Sequence, residues 1–225
     1  MTRALGRALV TLALMAAMPI AAPAQVVNNE NATAIVLRAA RVYKNLSGLQ
    51  ADFRQRLVDD APGMGTRDSR GTIYQSGSTK FAMRWSDPAG DAMIIDGQNL
   101  YVYTPSETPK QVLRFPMPTG PVWGANFMGY FLENPTDRYR ISYVKTEVID
   151  GIQTDAVLLE PTGKDMNFRR ATLWFARTDN LPHKLQIVEP LQTRVLTLTR
   201  VQPNVSILPE KFVFVKPAGV RVIDQ

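Results

Sequence analysis

Hydrophobic and polar residues alternate along residues 81–105, where three short runs, 81–85, 92–95 and 100–103, predict β-strands. An Asp-Pro-Ala-Gly turn separates the first two runs. Asp96-Gly97, a dipeptide that supplies the positive φ values of a tight hairpin, separates the last two. The three runs therefore predict a β-meander. We expect its apolar side chains to share one face of the sheet: Phe81, Met83, Trp85, Met93, Ile95, Tyr101 and Tyr103.

A helical period precedes the meander, over residues 31–46. Its apolar positions are spaced i, i+4, i+7 and i+11, at Ile35, Ala39, Val42 and Leu46. This spacing is typical of an amphipathic helix. Asn31 or Thr33 is expected to cap its start, and Gly48 to follow its end. From Leu49 the period changes to two, which predicts a long strand.

A second helix is predicted over residues 123–133. Phe127 and Phe131 are spaced i, i+4, Met128, Tyr130 and Leu132 widen the apolar surface, and Pro135 is expected to end the helix. So short and apolar a helix requires burial on more than one side.

Over most of the remaining chain, the hydrophobic pattern predicts strands. Residues 59–70 are expected to form a loop, and further strands are expected at 71–75, 111–115, 138–149, 155–160, 168–177, 183–189, 194–201 and 211–216. The fold class is therefore mainly β (α+β): about eleven strands in a large antiparallel sheet with helices packed on it. Four strands, 92–95, 156–159, 172–176 and 212–215, are apolar on both faces. A sheet curled around an apolar interior, with helices as a lid, would cover both faces.

The N-terminus has the pattern of a secretory signal peptide. Arg3 and Arg7 precede an apolar run of about 11 residues, and Ala22-Pro23-Ala24 provides the small residues of a cleavage site. We expect cleavage after residue 24 and a single mature domain, 25–225. The first 24 residues contain two arginines and no acidic residue, so the formal charge falls from +6 to +4.

The composition excludes several kinds of site. The chain has no cysteine, which excludes disulfides, thiol nucleophiles and thiolate metal ligands. Its one histidine, His183, is expected on the surface and without a catalytic role. Arginines occur in dispersed pairs, and no basic run suggests nucleic-acid binding. These pairs fit a solvated surface, or weak docking to an acidic partner or anionic lipid. The aromatic and methionine residues fit an ordinary core, or a cavity for variable apolar cargo.

The order of motifs resembles the periplasmic outer-membrane lipoprotein carrier family, LolA. The matching motifs are the run from Leu49 to Gln55 (LQADFRQ), Gly71-Thr72-Ile73-Tyr74, Phe81, Trp85, Asp87-Pro88, Asp96-Gly97, the Leu100–Pro105 segment, and Phe212-Val213-Phe214 with Pro217, Gly219-Val220 and Val222. The resemblance implies an incomplete antiparallel barrel with a helical lid over a hydrophobic cavity that takes lipoprotein acyl chains. It also implies no enzymatic activity and no cofactor. The implied partners are acylated lipoproteins, an inner-membrane ABC transporter that loads the carrier, and an outer-membrane receptor that unloads it.

The chain departs from this family at one position. The family commonly has an Arg-Pro pair ahead of the Phe of the third strand, and its Arg is associated with holding the lid shut. Ser76, Gly77 and Ser78 stand here instead. Whether Lys80 or Arg84 replaces that arginine stays open.

The leading hypothesis is therefore a monomeric periplasmic carrier of lipid-modified proteins that does not bind nucleic acid. The expected cavity and lid residues are Phe81, Met83, Trp85, Ile95, Tyr103, Phe127, Met128 and Phe131. One alternative is a periplasmic sensor or scaffold of the same fold that binds acyl groups and regulates a signalling partner. A periplasmic hydrolase is a further alternative, for which the sequence offers no nucleophile–base constellation.

Overall fold

A computed structural model of the protein describes residues 29–60, 65–117, 126–163 and 166–225. The signal peptide predicted at residues 1–24 lies outside the described residues. The helices are α1 (Asn29–Lys44), α2 (Phe127–Leu132), α3 (Pro135–Arg138) and a 3-10 helix (Pro209–Phe212). The strands are β1 (Gly48–Asp59), β2 (Thr66–Ser76), β3 (Lys80–Asp87), β4 (Ala89–Ile95), β5 (Asn99–Tyr103), β6 (Gln111–Pro116), β7 (Tyr139–Ile149), β8 (Ile152–Pro161), β9 (Arg170–Ala176), β10 (Pro182–Val188), β11 (Gln192–Pro203) and β12 (Arg221–Asp224).

The twelve strands form one curled sheet in the order β12-β6-β5-β4-β3-β2-β1-β11-β10-β9-β8-β7. Neighbouring strands lie about 4.8 Å apart, so β3 and β10, which are separated by three strands, would lie ~19 Å apart in a flat sheet. Phe81 of β3 and Leu185 of β10 nevertheless line the same small void. The sheet is therefore strongly curved. Its edge strands, β12 and β7, do not pair with each other within the described residues. The prediction of an incomplete barrel is confirmed.

All neighbouring strands are antiparallel except β12, which runs parallel to β6. The sheet has twelve strands, where the sequence predicted about eleven. β2 begins at Thr66 and β1 continues to Asp59, so half of the predicted loop over residues 59–70 is strand, while residues 61–64 lie outside the described residues. The strand predicted at 211–216 is absent: the chain there ends the 3-10 helix, and the last strand is β12. Pro209 favours that helical turn, because a proline fixes φ and donates no hydrogen bond to a sheet.

Helices α1, α2 and α3 pack on the concave side of the sheet, where α1 contacts α2, α3 and β7. Helix α1 begins at Asn29, so Asn31 and Thr33 lie inside the helix and do not cap it. The predicted second helix is shorter than expected and forms α2 over Phe127–Leu132, while residues 123–125 lie outside the described residues. Pro135 does not end that helix. It occupies the first turn of α3, where a missing N–H costs nothing.

The meander forms as predicted, but the predicted face of β5 is wrong. Ile95 pairs with Leu100 and Met93 with Val102. Because four residues lie between the paired Ile95 and Leu100, the even-numbered residues of β5 share the concave face with the odd-numbered residues of β3 and β4. Tyr101 and Tyr103 therefore lie on the convex face.

The C-terminal segment covers that convex face. Phe212 and Phe214 pack with Ala82 and Ile94 of the meander. Phe214 stacks on Tyr101 with ring centroids 5.1 Å apart, and contacts Tyr103 edge-on at 5.6 Å. The meander is thus covered on both faces, as its two-sided apolar pattern required.

The one histidine is buried, which corrects the expectation of a surface residue. His183 is 4% exposed, and its Nε2 lies 2.8 Å from Oδ2 of Asp179. Asp179 also accepts a hydrogen bond from the amide of Leu181 at 2.8 Å. The pair therefore fixes the turn between β9 and β10, which is a structural role.

Candidate functional site

The concave side of the sheet holds the main hydrophobic cluster. Six of the eight residues predicted to form the cavity and lid are buried in it: Phe81, Met83, Ile95, Phe127, Met128 and Phe131. Trp85 is partly buried against the same cluster, and meets Phe53 edge-on with ring centroids 5.5 Å apart. Tyr103 is not among them, because it packs on the convex face against Phe214.

Helix α2 fills the centre of this interior. Every residue of its sequence FMGYFL is buried, and Phe131 is fully inaccessible to solvent. Its aromatic rings join those of neighbouring elements, since Phe131 lies 5.3 Å from Phe168 and 6.2 Å from Tyr139 between ring centroids. A helix with six buried residues has no polar face for solvent, so it behaves as an internal plug of the curled sheet.

Little empty space remains beside this plug. A void of about 10 Å³ lies between α2 and the sheet. Its lining residues are Leu49, Ile73, Gln75, Phe81, Phe127, Met128, Leu185, Leu196 and Leu198. Since a single water needs roughly 10–15 Å³, this void cannot hold an acyl chain. Within the described residues, the space between α2 and the sheet is therefore closed, and an acyl chain would enter it only if α2 moved.

The start of α2 is tied to α1 through one side chain. Asn126 Oδ1 accepts hydrogen bonds from the Gly129 amide and from Tyr43 Oη, both at 2.9 Å. Burial raises the pKa of Tyr43, more than its hydrogen bonds to Asn126 and Gln75 lower it. The hydroxyl therefore stays protonated and acts as a donor. Asn126 both caps α2 and connects it to α1.

The other end of α2 is tied to α3 and β7. The carbonyl of Tyr130 accepts hydrogen bonds from Arg138 Nη1 at 2.5 Å and from Tyr139 Oη at 3.2 Å. The Arg138 guanidinium also lies over the Tyr130 ring, 4.7 Å from its centroid. Burial raises the pKa of Tyr139, which keeps its hydroxyl a donor. A cation and a phenol therefore satisfy a carbonyl at the helix end, where helix carbonyls lack partners.

The contacts at the two ends of α2 also show whether Lys80 or Arg84 replaces the lid arginine of the family. Arg84 lies on the convex face, where its guanidinium donates to the carbonyls of Lys211 and Val213. Lys80 is exposed at the start of β3. The side chains that hold α2 are instead Tyr43, Asn126, Arg138 and Tyr139. Sequence reasoning missed all four. The one readable signal was Asn126, a capping residue ahead of an apolar run.

A band of polar side chains interrupts the apolar lining of the concave face. Arg194 of β11 donates from Nε to Glu189 Oε1 at 2.9 Å and from Nη1 to Gln55 Oε1 at 3.0 Å. Gln55 Nε2 donates to Ser69 Oγ at 3.3 Å. Gln55 and Glu189 are 6% and 8% exposed. The Arg194 guanidinium lies 5.7 Å from the ring centroid of Phe127, the first residue of α2. The band therefore borders the plug.

Two further kinds of site do not occur in the described part of the chain. None of its histidine, aspartate and glutamate residues group in a way that could hold a metal ion. None of its helices has both the length and the apolar character needed to cross a lipid bilayer.

A curled, unclosed antiparallel sheet with an apolar helix against its concave face is the architecture of the lipoprotein-binding carrier fold. The family described as "Outer membrane lipoprotein carrier protein LolA" matches residues 44–215. Since this match spans more than half of the chain, the chain belongs to the LolA family.

Individual similarities agree with this assignment. The outer-membrane lipoprotein carrier protein of Alkalilimnicola ehrlichii is 24% identical over 188 residues, which cover 82% of this chain and 81% of that protein. The carrier protein of Salmonella typhi is 25% identical over 180 residues, covering 80% and 83%. The solved complex of Pseudomonas aeruginosa MucA/MucB is similar with a TM-score of 0.51 and 14% identity, over 86% of this chain and 63% of that chain. At that identity the last similarity shows the fold alone.

Proposed function

We propose that the protein is a periplasmic carrier that binds the acyl chains of lipoproteins released from the inner membrane and delivers them to the outer membrane. The observation that carries this proposal is the position of α2. Its six buried residues occupy the concave interior of a sheet whose edge strands do not pair with each other within the described residues. Cargo acyl chains would take the place of these side chains. The proposed lining residues are Phe81, Met83, Trp85 and Ile95 of the sheet, and Phe127, Met128 and Phe131 of the lid.

The energetics suit a shuttle. Burying a CH₂ group contributes about 0.8 kcal/mol relative to water, so a lipid anchor with several acyl chains needs a carrier in an aqueous compartment. A bilayer offers the same contribution per CH₂ group, so the carrier gains little over a membrane. Loading therefore calls for an energised donor such as an inner-membrane ABC transporter, and release for a protein acceptor at the outer membrane. We propose these two partners, a monomeric carrier, and a role in binding and transfer without catalysis.

The empty carrier also has to avoid exposing its apolar interior. Helix α2 does this by placing its own aromatic and thioether side chains in the interior. Loading then exchanges one set of apolar contacts for another, which keeps the free-energy difference between the closed and open states small enough for transfer.

The test is binding of a synthetic triacylated lipopeptide to purified residues 25–225, with the same peptide lacking acyl chains as control. We expect tight binding of the acylated peptide and none of the unacylated one. Equal binding of the two peptides would refute the proposal. A companion variant, Phe131→Asp, places a charge in the interior, and we expect it to lose binding of the acylated peptide.

A sensor or scaffold that binds acyl groups and regulates a partner is the other candidate of this fold. The two functions differ in release. A carrier loaded with the labelled lipopeptide passes it to an acceptor protein of the outer membrane, whereas a sensor retains it in the presence of that acceptor. Transfer of the lipopeptide, measured as a loss of fluorescence resonance energy transfer between it and the carrier, therefore separates the two functions.

A further inference from the structure

On the inner face of the sheet, polar residues follow apolar ones along three neighbouring strands. Along β1, the concave residues Leu49, Ala51 and Phe53 are apolar, and Gln55 follows them. In β2 the same change occurs from Ile73 to Ser69, which pairs with Gln55. In β11 the change comes two residues further along, because Leu196 pairs with Gln55 and Arg194 pairs with Leu57. The interior therefore has the polarity of an amphiphile, with an apolar chamber bounded on one side by hydrogen-bonding groups.

Such a polar band is energetically unfavourable, and a fold that needs only a hydrophobic core does not require it. Placing a charge in apolar surroundings is unfavourable, and apolar residues of similar volume in its place are often as stabilising or more so. The Arg194 side chain is 16% exposed and that of its partner Glu189 is 10% exposed. Folding alone thus does not explain why an ion pair borders the plug helix.

We propose that Arg194 and Gln55 form the subsite that binds the ester carbonyl oxygens of the acylated cargo. This inference rests on the proposed carrier function. Arg194 uses two of its five N–H groups in its bonds to Glu189 and Gln55. Its guanidinium faces the ring of Phe127, which belongs to α2. When α2 leaves the interior, the guanidinium is uncovered, and its three other N–H groups, which lie in its plane, become available to the carbonyl groups at the ends of the acyl chains.

The charges favour neutral carbonyl groups as the ligand. Glu189 balances the charge of Arg194, so a carbonyl dipole can be accepted without breaking the ion pair. An anionic headgroup would instead meet the carboxylate of Glu189. The subsite would therefore recognise acyl esters, and the chamber beyond it would hold the chains.

The experiment compares two synthetic triacylated lipopeptides that differ only in the diacylglyceryl group, which is joined by ester bonds in one and by ether bonds in the other. Ether oxygens keep the chains and lose the carbonyl acceptors. A hydrogen bond to a charged group contributes about 1.5–3 kcal/mol, and 1.4 kcal/mol is tenfold in affinity. We expect the wild-type protein to prefer the ester probe about tenfold, and Arg194→Met to bring this ratio close to one.

Arg200→Met is the matched control, because Arg200 lies on the same strand but on the exposed convex face, where it pairs with Asp52. It should leave the ester-to-ether ratio unchanged. Since Arg194→Met leaves Glu189 without its partner, the double variant Arg194→Met/Glu189→Leu, which removes both charges and the N–H donors at position 194, is measured in parallel.

The outcomes separate the two proposals. Failure of the wild-type protein to bind the ester probe refutes the carrier function itself. Binding of both probes with equal affinity by the wild-type protein, or an ester preference that survives in the double variant, refutes the subsite and leaves the carrier function standing.

Discussion

Tyr43 Oη lies 2.9 Å from Oδ1 of Asn126 and joins two helices whose bonded residues are 83 positions apart in the chain. The same Asn126 oxygen accepts the Gly129 amide at the first turn of α2. The atom that starts the plug helix is thus also the atom that connects it to α1. Any movement of α2 out of the interior has to break the bond to Tyr43 or carry α1 along.

Tyr43→Phe removes this connection and keeps the ring. The expected cost is about 1 kcal/mol in the free energy of unfolding, typical of one hydrogen bond. The amides of α2 should exchange with deuterium faster than in the wild type, since the closed state loses a specific contact. Tyr103→Phe is the control, because Tyr103 lies on the convex face. Unchanged exchange in α2 would mean that Tyr43 does not restrain the plug.

Gly129→Ala should weaken α2, although alanine is the better helix former by about 1 kcal/mol. A Cβ at this position would lie 2.9 Å from Asn126 Nδ2 and 3.0 Å from Tyr43 Oη. These two side chains would have to separate, at a cost of about 1–3 kcal/mol for an overpacked site. Thermal unfolding measures the change. Gly163→Ala, which meets nothing within 4 Å, is the control and should not destabilise the protein.

The sequence predicted which residues form strands better than it predicted which face of the sheet their side chains occupy, and the reason is physical. A period of two assigns residues to alternate sides within one strand, but the relation between strands depends on the length of each turn. The hairpin at Asp96-Gly97 has four residues between Ile95 and Leu100, and Asp96 Oδ1 accepts the amides of Gln98 and Asn99. This turn reverses the parity of β5, which moves Tyr103 to the convex face.

The residues of the candidate site also divide into those that the sequence pattern predicts and those that it does not. Hydrophobic pattern was enough to place Phe81, Met83 and Phe131 in one interior, because burial follows from composition and period. The polar groups that hold α2 or border it depend on contacts between distant segments. Gln55 and Arg194 are 139 positions apart, and no local spacing links them.

Phe212→Ala tests the C-terminal segment that covers the meander. Phe212 is 3% exposed and packs with Ala82 and Ile94 on the convex face. Removing a buried phenylalanine ring costs about 3–5 kcal/mol, because it loses apolar burial and leaves a cavity. Denaturant unfolding should show this loss. Val215→Ala, at a residue that is 78% exposed in the same segment, should change stability little. Similar effects of the two variants would show that the segment is not part of the core.

The last prediction concerns the pH dependence of stability. The Asp155 carboxylate accepts hydrogen bonds from Arg177 Nε at 2.9 Å and Nη2 at 2.7 Å, and from Thr146 and Tyr143. The bond to Arg177 is the largest cause that holds the pKa of Asp155 below its ordinary value of 3.8. A depressed pKa in the folded state contributes stability that is present above the unfolded pKa and is lost as pH falls through the folded pKa.

Asp155→Asn should therefore destabilise the protein most at neutral pH, and the difference from wild type should shrink as pH falls below about 4. Chemical unfolding at a series of pH values measures this. Asp68→Asn is the matched control, since Asp68 also pairs with an arginine, Arg56, but both side chains are at least 60% exposed. Water screens that pair, so its removal should have little effect at any pH. A stability difference for Asp155→Asn that stays constant from neutral to acidic pH would contradict the assignment, because it would mean that the charge of Asp155 does not stabilise the fold.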